Sequence, residues 1–174
     1  ERLKTFRRSK IIIGGTPTLK GISAIDAELE LSDKRLGMVP CHDCGQEHAL
    51  SFDHLTCPDD PDYKHEIYGH KRPEMTRYVC PHCGSVWDDN QKNANLRYGR
   101  WVATAEFRGI AGYILNELYA TFHGSRFEVL MEKRLQAEYA AERGNIGAMI
   151  VYVNSSKGES YEYQTDAPKT DELE

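Results

Sequence analysis

Two short runs, Cys41-His42-Asp43-Cys44-Gly45 and Cys80-Pro81-His82-Cys83-Gly84, constrain this chain more than anything else in it. Each is a Cys-x-x-Cys pair closed by glycine. Two thiolates three positions apart can grip one ion from a tight turn, and the glycine lets the backbone fold back so that its amides face the sulfurs. Cys41, Cys44, Cys80 and Cys83 together make the closed four-thiolate set of a structural zinc site. The rival reading is a pair of free redox-active Cys-x-x-Cys motifs. Two matched copies, both closed by glycine, argue for the metal. The stretch between the runs, Gln46 to Val79, is longer than the usual spacer, so an insertion is expected between the two halves.

Composition bounds the rest. A chain of 174 residues can bury one real core, or one core and a small metal-held lobe. No stretch reaches the length of a membrane span, no signal peptide is evident, and five cysteines with four committed to metal fit a reducing cytoplasm. The net charge of −5 gives no basic footprint for nucleic acid over the whole chain. Charge is nevertheless uneven: Arg2, Lys4, Arg7, Arg8 and Lys10 crowd the start, and Asp166, Asp171, Glu172 and Glu174 the end. The basic cluster could touch DNA phosphates, but a solvated basic face is the plainer account. A first residue of Glu rather than Met suggests a piece of a longer protein.

Ile11-Ile12-Ile13 predicts a short buried strand, which stops at Gly14-Gly15-Thr16-Pro17-Thr18. Ser23 predicts the cap of a helix to about Lys34, with Asp26 as its reciprocal carboxylate and Ile25 and Leu29 facing inward. Met38 to Phe52 reads as strand, knuckle, strand, with His48, Leu50 and Phe52 alternating against Glu47, Ala49 and Ser51. Residues 53–75, with Pro58, Pro61 and Pro73, form an irregular insertion. Its His54, Cys57, His65 and His70 invite a second metal site, although a polar excursion with scattered histidines is the simpler account. His42 and His82 are expected to face solvent from the knuckles. A short helix is expected from Asp88, then a segment at 99–102 and a strand over 112–115. Ser125 to Glu128 reads as a capping box opening a helix to about Arg143, whose core stripe is Phe127, Leu130, Met131, Leu135 and Tyr139. Trp87, Trp101 and Tyr113 are expected to pack on the metal lobe rather than stack on bases. Ile150-Val151-Tyr152-Val153 favours a strand locally within an ambiguous stretch, and the chain from Gly158 on reads as a polar, mobile tail.

The order of these landmarks resembles the large subunit of lambda-type tailed-phage terminases, the GpA family. The matching pieces are Lys10-Ile11-Ile12-Ile13 into Thr16-Pro17-Thr18, then Lys20-Gly21-Ile22-Ser23, Val39-Pro40 before the first cysteine pair, and Tyr78 before the second. They continue through Gly99-Arg100-Trp101, Ala111-Gly112-Tyr113, Leu115-Asn116, Leu118-Tyr119 and Val153-Asn154 to Gly158-Glu159, across roughly residues 5–162.

The resemblance implies an ATP-driven motor that moves double-stranded DNA into a capsid and an endonuclease that cuts concatemers. Its implied partners are DNA, the small terminase subunit and the portal. It also implies a homo-oligomer when intact, ATP and Mg2+ for the full-length enzyme, and no membrane. The phosphate-gripping G-x-x-x-x-G-K-[ST] loop is absent here, no apolar strand ends in Asp-Glu, and the C-terminal acids lie in a tail. Neither active site is therefore complete. The expected fold is α/β (α+β taken as a fragment): the end of a P-loop-type ATPase core with an inserted zinc-ribbon-like β lobe and C-terminal helices. The expected division is 1–36 as the end of the ATPase core, 37–88 as the lobe, 89–158 as remaining core and 159–174 as acidic tail or linker. In the family, a Ser/Gly-Thr-Pro segment couples the nucleotide's terminal phosphate to motion, which makes Thr16, Pro17 and Thr18 the coupling candidates. Gly15 stands where serine is expected. On residue chemistry alone this loop is a strand-ending turn. The alternative for the whole chain is a free-standing, non-catalytic zinc-ribbon module that binds nucleic acid or protein.

Overall fold

A computed structural model describes residues 9–163. The framework is two antiparallel hairpins, each bent at one cysteine run. Strand β1 (Arg35–Pro40) pairs with β2 (Glu47–Ala49), placing Val39 opposite His48. Strand β3 (Leu55–Thr56) pairs with β4 (Arg77–Val79), which in turn pairs with β5 (Val86–Trp87) across the second run. The other edge of β1 carries β6 (Arg100–Val102), and β7 (Tyr113–Ile114) joins β1 in parallel at Arg35 and Leu36. Gly45 and Gly84 adopt left-handed φ angles of 71° and 76° where the two turns reverse. The repeated sequence thus yields a repeated turn: Gly45 N–H donates to the Cys41 carbonyl and Gly84 N–H to that of Cys80.

The core lies between these hairpins and the helices that follow. Trp87 and Tyr78 are fully buried, their rings 5.0 Å apart, and Phe127 stacks on the far side of Tyr78. Helix α2 spans Asp89–Leu96, and Asp88 closes it with a reciprocal capping box to Gln91. Helix α3 (Phe127–Glu142) buries Phe127, Leu130, Met131 and Leu135, as its spacing predicts, and Ala137 besides; Tyr139 is only half-buried.

Several expected elements differ in the structure, each for a physical reason. Ile11, Ile12 and Ile13 do not form a buried strand: Ile12 is 93% exposed, and no strand among the described residues pairs with this segment. An apolar run without a ladder partner leaves its backbone unpaired and cannot hold as a strand. The first helix, α1 (Ala24–Glu30), stops short of Lys34. The Ser32 hydroxyl donates back to the Leu29 carbonyl (2.7 Å), and Lys34 takes a left-handed φ of 47°. Ser23 does not cap it, since its hydroxyl instead accepts from Thr18 N–H, and Asp26 accepts from the Ser160 hydroxyl.

Ser125 does not open α3. It sits in a tight turn over His123–Ser125, and the Asp89 carboxylate of α2 accepts from Phe127 N–H at 3.0 Å. A tertiary cap has displaced the local one. The stretch from Ile146 is α4 (Ile146–Val151) running into a wide π turn (Tyr152–Lys157), not a strand. Helix α4 packs on α3 and Tyr152 stands edge-on to Phe52 at 5.9 Å, so packing overrides the local β preference. Nor do residues 159–163 form a loose tail. Tyr161 N–H donates to the Thr18 carbonyl and Lys20 N–H to that of Tyr161, with a Lys20–Glu162 ion pair alongside. Arg2, Lys4, Arg7, Arg8 and the acidic end at 164–174 lie outside the described residues, while Lys10 is exposed.

Leu118-Tyr119 and Asn116 act as the latch between the two sequence halves. The Tyr119 hydroxyl donates to the Gly37 carbonyl (2.6 Å) and accepts from Leu50 N–H (2.9 Å), while the Asn116 amide donates to the Leu50 carbonyl (2.8 Å). Tyr119→Phe is expected to lower stability by about 1–3 kcal/mol, because it orphans a buried amide and a carbonyl together. Urea denaturation measures this, and an unchanged midpoint would show that water replaces both bonds.

Candidate metal centre and the loops around it

The two hairpin tips bring Cys41, Cys44, Cys80 and Cys83 together. One ligand atom from each lies within 4.8 Å of the others, with Cys41 Sγ 3.8 Å from Cys83 Sγ and Cys44 Sγ 4.0 Å from Cys80 Sγ. A tetrahedron with metal–sulfur arms of about 2.3 Å has edges of about 3.8 Å, whereas a disulfide needs about 2.05 Å. The donor set and its spacing therefore fit a tetrahedral thiophilic cation. Cys41 and Cys80 are buried and Cys44 and Cys83 exposed, so the cluster sits at the rim of the core. Burial pushes the Cys41 thiol up, but the amides of Cys44 and Asp43 and the neighbouring thiols outweigh it and bring it down to about 6. The Ser85 hydroxyl donates to Asp43, tying one knuckle to the other beside the sulfurs.

Behind the sulfurs lies a histidine that the alternating pattern placed inward without a role. His48 is buried against Tyr78 and Trp87, and neither ring nitrogen has a partner. Burial, then the nearby His82 and His54, bring its pKa down to about 4, so the ring is neutral. His82 is exposed, as expected. His42 is exposed too, but its Nδ1 lies 3.1 Å from the amide of buried Asn95, which joins the first knuckle to α2.

The insertion's residues are not gathered at one point. His65 Nδ1 accepts from the amides of Ile67 and Tyr68, His70 Nδ1 pairs with the Tyr63 carbonyl, and Cys57 Sγ lies 3.9 Å from the Pro58 carbonyl. Among the described residues, the four-cysteine set is the one group of His, Cys, Asp and Glu arranged to hold a metal ion. Trp87 packs beneath the knuckles as predicted. Trp101 and Tyr113 instead face outward on the sheet, 4.9 Å apart, with Arg35 over Tyr113.

In the Gly14–Thr18 loop, Thr16 and Thr18 are exposed and Pro17 is half-buried. Thr18 is anchored at both backbone ends, its N–H to Ser23 Oγ and its carbonyl to Tyr161 N–H. Asp89, Lys92 and Tyr119 carry tertiary bonds that local pattern does not reveal. Helix α2 (Asp-Asn-Gln-Lys-Asn-Ala-Asn-Leu) has no apolar stripe to mark its inner face, and Lys92 and Asn95 are its buried residues.

Comparison with known families places this geometry. The model for the phage terminase large subunit gpA, ATPase domain, matches residues 1–101, and that for the terminase large subunit gpA, endonuclease domain, matches residues 110–174. The chain belongs to the gpA family of phage terminase large subunits, whose role is DNA packaging. No curated protein and no solved structure matches it. Among the described residues no helix is long and apolar enough to cross a membrane.

Proposed function

We propose that this chain forms the joint between the ATPase and endonuclease parts of a phage DNA-packaging motor, and that one structural zinc ion holds that joint. The supporting observation is that the two family-matched ranges share one core. Strand β7 of the second range pairs with β1 of the first, Phe127 stacks on Tyr78, Tyr119 bonds to Gly37 and Leu50, and Tyr161 pairs with Leu19. Force produced in one part then reaches the other through a packed body rather than a loose linker.

In this reading residues 1–36 close the ATPase core and 37–88 form a zinc-ribbon-like lobe. Residues 89–109 follow the lobe, and from residue 110 the chain runs into the endonuclease-matched part, with 159–163 tied back to Thr18–Lys20. Cys41, Cys44, Cys80 and Cys83 are the zinc ligands, and Thr16, Pro17 and Thr18 form the coupling loop. The intact protein uses ATP and Mg2+ to translocate double-stranded DNA and cuts concatemers. It works as a homo-oligomer with the small terminase subunit and the portal in the host cytoplasm. A free-standing zinc-ribbon module is less well supported, because the endonuclease-family match extends beyond the hairpins to residue 174.

The test is a packaging reaction with the full-length protein and empty capsids. Duplex DNA should become resistant to added nuclease only when ATP is present. DNA binding without any ATP-dependent protection would favour the module. The 174-residue chain alone should show no ATP turnover above a Cys41→Ser control, because it lacks the row of amides and the lysine that neutralise the phosphates. Turnover that co-purifies with the chain would show that it carries a phosphate-binding architecture of another kind.

A further inference from the structure

The insertion between the two cysteine runs is ordered, and it forms a groove against the end of α3. His65 and Gly69 exchange backbone bonds of 2.9 Å each way, Asp59 bridges to Lys71, and Arg72 pairs with Asp60 at 2.9 Å. Two side-chain bonds fasten this turn to the helix. The Tyr139 hydroxyl donates to Glu66 (3.1 Å), and the Gln136 amide donates to the Tyr68 hydroxyl (3.3 Å). Between turn and helix lies a cavity of 330 Å3. Buried Leu135 and half-buried Ile67 and Tyr68 form its inner side, and Glu66, Glu138 and Glu142 stand around it. Ordering so long an irregular excursion is costly, and such segments are commonly functional.

The charges of this wall are unbalanced. Glu66, Glu138 and Glu142 face one guanidinium, that of Arg143, which leaves two negative units. Arg134, outside the wall, takes one oxygen of Glu138 at 2.8 Å. Glu66 and Glu142 are exposed, and among the described residues neither has a cation within ion-pair distance. Glu138 and Glu142 also stand four positions apart near the end of α3, whose last turn holds no basic residue. Like charges at that spacing repel, and this is the negative end of the dipole of a 16-residue helix. A bound cation relieves both penalties.

The shape narrows the kind of cation. These carboxylates are not gathered for a metal ion, since among the described residues only the four cysteines are. The same charges repel nucleic acid. Arg143 shows what the wall accepts: its guanidinium carbon lies 3.3 Å from the Tyr139 ring centroid, and its Nη1 donates to the Tyr139 carbonyl. That bond stays within its own turn, so Glu66 and Glu142 are left open. A planar cation on an aliphatic stem suits a groove that is aliphatic and aromatic inside and acidic at its mouth. We propose that this groove docks an arginine side chain from a segment of a protein partner. Ile67 and Leu135 take the stem, Glu66 and Glu142 take the guanidinium, and the closed insertion turn holds the wall ready. This docking requires neither ATPase nor endonuclease activity of the intact motor.

The test titrates the whole zinc-loaded chain with a short capped peptide whose central arginine is flanked by leucines, and follows backbone amide NMR shifts. Shifts should centre on residues 66–69 and 138–143. The same peptide with lysine should bind more weakly, and with glutamate it should not bind. Added potassium chloride should weaken the arginine complex. Glu142→Gln removes one of two repelling charges, so it should melt no lower than the unaltered chain. Glu66→Gln keeps an acceptor for the Tyr139 hydroxyl. Combined, the two should weaken the arginine peptide about tenfold or more, as the loss of charge-assisted bonds implies. Glu132→Gln, on α3 but outside the groove, should leave binding unchanged.

Equal affinity for the arginine and glutamate peptides, or unchanged affinity in the double variant, overturns the site. Spermidine bound as tightly as the arginine peptide would make the groove a polyamine site. Shifts of the same residues by duplex DNA would make it a nucleic-acid surface. Either of those results also overturns the proposal.

Discussion

Removing the metal, by chelation or by Cys41→Ser, is expected to unfold the two-hairpin lobe. The strands that carry the knuckles are two to six residues long, and hairpins of that size are marginal in water by themselves. What holds their tips is the sulfur cluster, with Trp87 and Tyr78 packed behind it. Metal binding in four-thiolate sites contributes about 10 kcal/mol or more of apparent free energy, comparable to the whole stability of a small domain. Non-denaturing mass spectrometry should find one zinc per chain, absent after Cys41→Ser. The near-ultraviolet circular dichroism of Trp87 should collapse with it. Cys57→Ser should change neither reading, because its sulfur faces the Pro58 carbonyl and takes no part in the cluster. A metal-free chain that keeps its spectrum and melting temperature would sink the claim.

The cysteine site was legible from sequence because its information is local: a fixed spacing, a closing glycine and a second copy. The alternating burial of His48, Leu50 and Phe52 was legible too, although β2 itself ends at Ala49 and Phe52 opens a 3-10 turn, and so was the stripe of α3. What failed was decided by neighbours distant in sequence. Asp89 took the capping role that the Ser125–Glu128 pattern assigned locally, and α3 drew Ile146–Val151 into a helix against its β-branched preference. Ile11 to Ile13 failed for the opposite reason, since the strand pattern was present but among the described residues no strand pairs with it. The inward residues of α2, Lys92 and Asn95, gave no signal, because this helix is anchored by polar contacts and hydrophobic periodicity detects only apolar ones.

Thr16→Val in the full-length motor is expected to cut DNA-stimulated ATP turnover and packaging by about tenfold or more while leaving nucleotide affinity nearly intact. Thr16 is exposed in a loop whose far end is fixed: Thr18 bonds to Ser23 and Tyr161, and Lys20 pairs with Glu162. On the proposed coupling role, the exposed Thr16 hydroxyl would contact a phosphate supplied by the rest of an ATPase core, and the Thr18–Tyr161 and Lys20–Glu162 bonds would carry a shift to the 159–162 segment. Such a contact matters once the terminal phosphate is in transit, so its loss should appear in turnover rather than in binding. Pro17→Ala relaxes the turn without removing a donor and should be milder. Zinc content should be unchanged in both variants, because the sulfur cluster draws no ligand from this loop. The deciding measurement is packaging rate set against nucleotide affinity for the two variants. If Thr16→Val packages normally, the loop is only the turn that precedes α1, and the mechanical connection between the two halves must run through β1, β7 and Tyr119 instead.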